Sequence, residues 1–252
     1  MRIPRIYTDS DLAQGGRLRL DKSASNHLVR VLRLKPGAQL VVFNGHGGHF
    51  QSMINDIQNG GVDVEIGQFI PDEAESTLRI ILAQGISRGE RMDYTIQKSV
   101  ELGVTTIMPL LTGRCEVRLS KDRAEKRLRH WRGIIAASCE QCGRDTIPDI
   151  LPVIPLDDWL QQPPGSQIGT SSTAPLKLVL DFQHSGTLKQ LPRPDGPIIL
   201  LIGPEGGLTD DELQATYDAE YIGIRLGPRI LRTETAGIAA VSTLQALWGD
   251  LA

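Results

Sequence analysis

The chain has 252 residues, 40% of them hydrophobic, and a formal net charge of -3 at pH 7. That length holds one large domain or two modest ones, and so weak a charge removes any global case for nucleic-acid or membrane association, leaving local charge to be read. Three cysteines are an odd count, MRIPRIYTDS has no apolar leader and no apolar run approaches the ~18 residues of a membrane span, so the expectation is a cytosolic chain without a disulfide framework.

From Arg2 to about Ile70 the pattern is short and strand-like. RLRL (17–20), QLVVF (39–43), HFQSMI (49–54) and VDVEI (62–66) alternate with Gly-Gly, Pro-Gly and Asn-Gly turns, which predicts a small barrel. Ser23 to Leu34 interrupts it with a predicted helix carrying His27, Arg30 and Arg33 at spacings of three. Residues 71–76 (PDEAES) read as a linker into a second domain. There the period changes: LRIILAQ (78–84) is a buried-strand run, Met92, Ile96 and Val100 recur at helical spacing, and VTTIMPL (104–110) is a second strand. This βαβ pattern predicts a parallel sheet. Ser120 to Cys142 is helical, with Ala124, Leu128, Trp131, Ile135, Cys139 and Cys142 on one stripe. Residues 161–175 (QQPPGSQIGTSSTAP) read as a mobile surface loop. LKLVLDF (176–182), IILLIG (198–203) and YIGIRLG (221–227) are three further strands, the last two each feeding a helix: Thr209 to about Ala219, opened by the capping box Thr209/Glu212, and Glu234 to about Trp248.

Ligands of a parallel sheet sit beyond the carboxyl ends of its strands, and GPEGGL (203–208) and LGPRILRTETAG (226–237) lie at such ends. A phosphate loop of the Walker type needs Gly-Lys-Ser/Thr, which is absent, and Glu205 inside the glycine corner would repel phosphate. Glycines beside a carboxylate suit a neutral or cationic ligand such as an adenosine bearing a sulfonium; alternatively the glycines only permit tight turns and Glu205 is a solvated acid. The usual dinucleotide fold places its glycine corner after the first strand, whereas these corners crowd the final third. Arg229, Arg232 and Glu234 flank the start of the last helix, where free N–H groups favour developing negative charge. Arg232 therefore either stabilises an anionic nucleophile or is salt-bridged to Glu234. Residues 114–145 hold nine Lys/Arg against five Asp/Glu, a basic face that either tracks a nucleic-acid backbone or is simply solvated. Cys139-x-x-Cys142 lacks further ligands at metal-site spacing and reads as core packing, and His46 and His49 flank a Gly-Gly turn and read as structural, so no metal is required.

MRIPRIY (1–7), HLVRVLRL (27–34), SRGERMDYTIQKSVELGV (87–104), CEQCGR (139–144), LLIGPEGGLTDDE (200–212) and LGPRILRTETAG (226–237), in that order along the whole chain, resemble the RsmE family of small-subunit ribosomal RNA uridine N3-methyltransferases. The resemblance implies an α/β protein with an N-terminal PUA-like β-barrel for RNA (1–72) and a C-terminal SPOUT domain with a deep trefoil knot (73–252). It also implies a homodimer, 16S ribosomal RNA as substrate and S-adenosylmethionine as cofactor. The expected cofactor contacts are Leu180 and Asp181; Ile202, Gly203, Pro204, Glu205, Gly206 and Gly207; then Leu226, Gly227, Ile230, Leu231, Arg232 and Thr233. Arg232 and Glu234 are the expected catalytic pair, and Arg30, Arg33, Arg123, Arg127 and Arg129 the expected phosphate contacts. The competing reading is a PUA-like RNA-binding adaptor without catalytic activity, against which the intact GPEGG and LRTET motifs speak.

Overall fold

The computed structural model describes residues 3–116, 120–161, 173–184 and 186–251, and the chain divides into two compact units. The first comprises the chain up to Glu75 together with Ala136–Ile147; the second comprises Ser76–Ile135 and the chain from Pro148 onward. Residues 162–172 of the predicted surface loop lie outside the described residues.

In the first unit, strands β1 (Arg5–Tyr7), β2 (Arg17–Arg19), β3 (Gln39–Phe43), β4 (His49–Gln58) and β5 (Gly61–Ile70) form one sheet in the order β1-β3-β4-β5-β2. Asn59 and Gly60 turn the β4–β5 hairpin with φ of 52° and 76°, the left-handed pair that a two-residue turn between twisted strands demands. Alternate residues of the long strands, Phe50 and Ile54 facing Val62, Val64 and Ile66, point into a core shared with Ile6, Leu20, Leu28 and Leu40. No ladder joins the end strands β1 and β2 among the described residues, so the predicted barrel is observed as five strands in an open order. The helix expected over 23–34 is shorter: α1 (Lys22–Asn26), capped by the Asp21 carboxylate, gives way to a π-helical turn at His27–Val31.

Residues 136–147 also belong to this unit, although no local pattern in the sequence marks them off from the rest of the helix. They are tied in by polar contacts of long sequence separation. Arg144 donates in parallel to both Glu75 carboxylate oxygens, at 2.8 and 2.7 Å. Asp145 pairs with Arg5 and meets His49 Nδ1 at 2.8 Å, and Glu140 accepts from Tyr7 N at 2.9 Å. Burial works against the Arg144 charge, yet the Glu75 carboxylate outweighs it and raises the Arg144 pKa. Removing one partner of such a pair strands the other, so Arg144→Ala should destabilise the protein by about 3 kcal/mol in urea melts, the low end of the usual range because Glu75 keeps some solvent access.

The second unit is built on β6 (Ile80–Gly85), β7 (Thr106–Leu111), β8 (Asp149–Ile150), β9 (Ile154–Pro155), β10 (Leu176–Leu180), β11 (Ile198–Ile202) and β12 (Ile222–Ile224). The strands run parallel in the order β12-β10-β11-β6-β7-β8, with β9 also paired to β7. Every residue of β6 and β11 is buried, as central strands covered on both faces require. α2 (Glu90–Glu101) buries the stripe Met92, Ile96, Val100 and packs on α6 (Thr233–Trp248), which also lies against β6 and β11. The opposite face of the sheet is filled by Met108, Leu110, Leu156, Trp159 and Tyr221, with α4 (Leu156–Gln161) packed on α5 (Asp210–Asp218). α3 (Lys121–Cys142) buries Leu128, Trp131, Ile135 and Cys139, four of the six stripe residues. Because β12 is an edge strand while α6 packs on β6 and β11, residues 225–232 must pass across the carboxyl ends of β10 and β11. That crossing brings both glycine corners together.

Candidate active site

Three loops meet there through backbone and small polar groups. Thr233 Oγ1 donates to the Gly203 carbonyl at 2.6 Å, and Gln84 Nε2 donates to Thr233 Oγ1 and to the Gly85 carbonyl, both at 3.0 Å. The end of β6, the corner after β11 and the start of α6 are thereby linked. The approach is close enough that a Cβ on Gly85 would stand 2.6 Å from Pro204 N, and one on Gly203 would stand 3.0 Å from Leu208 N. Gly207 holds a φ of 69°, which L side chains rarely adopt.

Glu205 is neither a free loop acid nor a bare carboxylate facing a ligand. It accepts from Arg88 N at 2.9 Å and from Arg91 Nη1 at 3.1 Å, fastening the glycine corner to the head of α2. Burial pushes its pKa up, but the bonds from Arg88 and Arg91 prevail and the carboxyl titrates below its ordinary value. A carboxylate with a depressed pKa contributes above its unfolded pKa and loses that contribution as pH falls through the folded one. The fastening should therefore persist at neutral pH and yield only as pH falls below the ordinary carboxylate range. Ligand binding by the corner should follow that profile, and Glu205→Gln should weaken it already at pH 7, as calorimetry across pH would check.

The residues around 112–116 hold the same corner from another side. Arg114 Nη1 donates to the Gly206 and Leu208 carbonyls at 3.2 and 2.9 Å. Glu212, reciprocally capped with Thr209, also accepts from Gly113 N at 2.5 Å. The capping box was legible in the sequence; the clamp by Arg114 had no local signal.

These loops enclose a cavity of about 520 Å³. Of the expected cofactor contacts, Leu180, Asp181, Ile202, Gly203, Pro204, Glu205, Gly206, Gly207, Leu226, Ile230, Leu231, Arg232 and Thr233 line it, whereas Gly227 does not and instead turns the chain with a φ of 73°. Arg91, Arg114, Arg225 and Arg229 line it as well, and were not singled out as contacts. Asp181 is oriented by Tyr217 Oη, which donates at 2.7 Å, and by Gln183 N at 2.9 Å. Burial, then the Asp181 charge, push the Tyr217 hydroxyl up to about 12, so it stays a neutral donor.

Arg232 caps α6 with its backbone extended, and no hydrogen bond or ion pair engages its exposed guanidinium among the described residues. The salt bridge to Glu234, the alternative reading of Arg232, is not formed. Glu234, also lining the cavity, has a buried Oε2 without a hydrogen-bond partner. Arg30, Arg33, Arg123, Arg127 and Arg129 do not line the cavity. Arg30 and Arg33 belong to the first unit, Arg123 and Arg129 are exposed on α3, and Arg127 lies over the Trp131 ring at 6.0 Å. Among the described residues no cluster of His, Cys, Asp and Glu has the makings of a metal site. Burial raises the Cys139 thiol to about 12, which suits packing rather than redox chemistry.

Residues 74–245 match the RNA methyltransferase domain family, and residues 20–67 match the RNA methyltransferase PUA domain family. The ribosomal RNA small subunit methyltransferase E of Buchnera aphidicola subsp. Schizaphis graminum is 38% identical over 250 residues, spanning 99% of this chain and 98% of that protein. Two solved structures cover 100% of both chains. A Legionella pneumophila protein in complex with the cofactor SAM is 40% identical with a TM-score of 0.92, and the Neisseria gonorrhoeae ribosomal RNA small subunit methyltransferase E bound to S-adenosyl methionine is 37% identical with a TM-score of 0.90. With the methyltransferase match falling on the unit that holds the cavity, and relatives alike from end to end, the chain belongs to the ribosomal RNA small subunit methyltransferase E family.

Proposed function

We propose that this protein uses S-adenosylmethionine to methylate N3 of a specific uridine in 16S ribosomal RNA. The observation that carries the reading is a glycine-walled cavity holding a guanidinium and a carboxylate oxygen, those of Arg232 and Glu234, that have no partner among the described residues. The cavity's chemistry fits the cofactor. Leu180, Ile202 and Leu226 offer apolar walls for an adenine, Gly203 to Gly207 offer close backbone, and Asp181 and Glu234 suit a cationic group. When bound, S-adenosylmethionine supplies a methyl group already activated by its sulfonium.

The chain's own residues must then present a deprotonated N3 in line. Arg232 donates its planar fork to the uracil carbonyls, spreading the imide charge as an oxyanion hole does, and the α6 N-terminus adds its dipole. The Glu234 carboxylate receives the N3 proton. The uridine enters unstacked, which is least costly from a loop or junction. In the same reading, residues 1–72 bind RNA, residues 73–252 form the methyltransferase domain with its chain knotted as a trefoil, and two copies pair as a homodimer in the cytoplasm.

Incubating the protein with small-subunit RNA or subunits from cells lacking it, then mapping the methyl by mass spectrometry, tests the reaction; a methyl on ribose, or on no uridine, would sink it. Equilibrium dialysis against S-adenosylmethionine separates the enzyme from a non-catalytic adaptor, which would retain no ligand. Replacing Arg123, Arg127 and Arg129 by Gln should flatten the salt dependence of RNA binding by ~0.7–0.9 in slope per lost contact, with cofactor affinity unchanged. Arg127 should contribute least, since Trp131 already engages it.

A further inference from the structure

The π-helical turn of the first unit displays two apolar residues within a stretch of sequence that holds basic residues and no acids. Leu28 is fully buried, and in a regular α-helix positions 31 and 32 would follow it to the same buried face. Instead Leu32 N donates to the His27 carbonyl, five residues back, and the widened turn leaves Val31 67% and Leu32 39% exposed. Arg33 then takes a φ of 55°, a left-handed conformation that non-glycine residues seldom hold, and Leu34 returns to the core with its N–H on the Leu28 carbonyl. A wide turn and a left-handed arginine are costly local choices, and such choices cluster where a ligand is met. Arg30 and Arg33 are exposed on either side of the apolar pair, with Lys35 exposed just beyond. From Lys22 to Asn55 the sequence contains no Asp or Glu.

We infer that this tip is an RNA wedge: Val31 and Leu32 pack against the face of an unstacked base or a distorted base step, while Arg30, Arg33 and Lys35 hold the flanking phosphates. The inference rests on the RNA-methylating reading and deepens it by naming an apolar contact within the RNA-binding surface. A strand of stacked, paired bases offers no apolar face, so the chemistry selects a loop, bulge or junction of RNA. The three basic residues Arg30, Arg33 and Lys35 beside the apolar pair, all exposed, favour a polyanion over a protein partner.

The test compares Val31→Ser/Leu32→Ser with Arg30→Gln/Arg33→Gly in the full chain, glycine being the residue that accepts the backbone at 33 without strain. Binding is measured to a small-subunit RNA fragment carrying the target uridine and to a fully paired duplex of equal length. The serine pair should weaken binding to the fragment about tenfold and leave its salt slope alone, as the loss of apolar burial requires. It should hardly affect the duplex. The charge pair should weaken both and reduce the slope by ~0.7–0.9 per contact. Thermal midpoint and S-adenosylmethionine affinity should match the wild type in both variants. A serine pair with wild-type affinity for the fragment overturns the wedge while leaving the enzyme reading intact. So does a serine pair that only converts a dimer to a monomer in sedimentation, since the tip would then cover a second copy. Wild-type protein that binds neither RNA defeats the underlying reading together with the wedge.

Discussion

Arg232→Lys should slow single-turnover methylation at saturating cofactor and RNA by roughly 100- to 1000-fold at neutral pH, the usual consequence of losing one donor to a developing anion. Lysine keeps the charge but not the planar fork that meets two carbonyls at once. Because no hydrogen bond or ion pair engages the guanidinium among the described residues, its replacement breaks none of them, and the thermal midpoint should stay at the wild-type value. The variant should regain part of its rate in alkali, where uridine N3 ionises unaided. A structural arginine makes the opposite prediction: lower stability with a normal rate per folded, loaded enzyme. A near-normal single-turnover rate at neutral pH would remove Arg232 from the chemistry.

Gly206→Val should weaken S-adenosylmethionine binding by roughly 10- to 100-fold, because overpacking of this kind typically costs about 1–3 kcal/mol. The cause is contact rather than backbone conformation: a Cβ at 206 would lie 2.9 Å from Arg114 Cβ and 3.3 Å from the Arg114 carbonyl, whereas the left-handed φ belongs to Gly207. Valine would push Arg114 off the Gly206 and Leu208 carbonyls it fixes, loosening the corner. Arg114→Gln should move calorimetric affinity in the same direction by less, since it removes the clamp without intruding on the loop. Wild-type affinity in Gly206→Val would show that this corner does not hold the cofactor.

Local periodicity was enough to place most strands and helices of this chain. The apolar runs at 80–83 and 198–202, the helical stripe Met92, Ile96, Val100, and the Thr209/Glu212 capping box are decided by neighbours within a few residues, so they are readable from the string and recur in the structure. The two glycine corners and their place after strands were legible for the same reason, and the family was legible because six motifs keep their order. The wide turn at 27–31 was not, since an α-helical period and a π turn present the same pattern of apolar residues until Leu34 must reach the core. Only the tertiary structure brought Arg88 and Arg91 to Glu205, Arg114 to Gly206, Gln84 to Thr233 and residues 136–147 to Glu75 and Arg5. Each of these contacts joins segments far apart in sequence, and whether a charged side chain meets a partner, a ligand or water depends on which loops the sheet order stacks together, a property that no local pattern of residues contains.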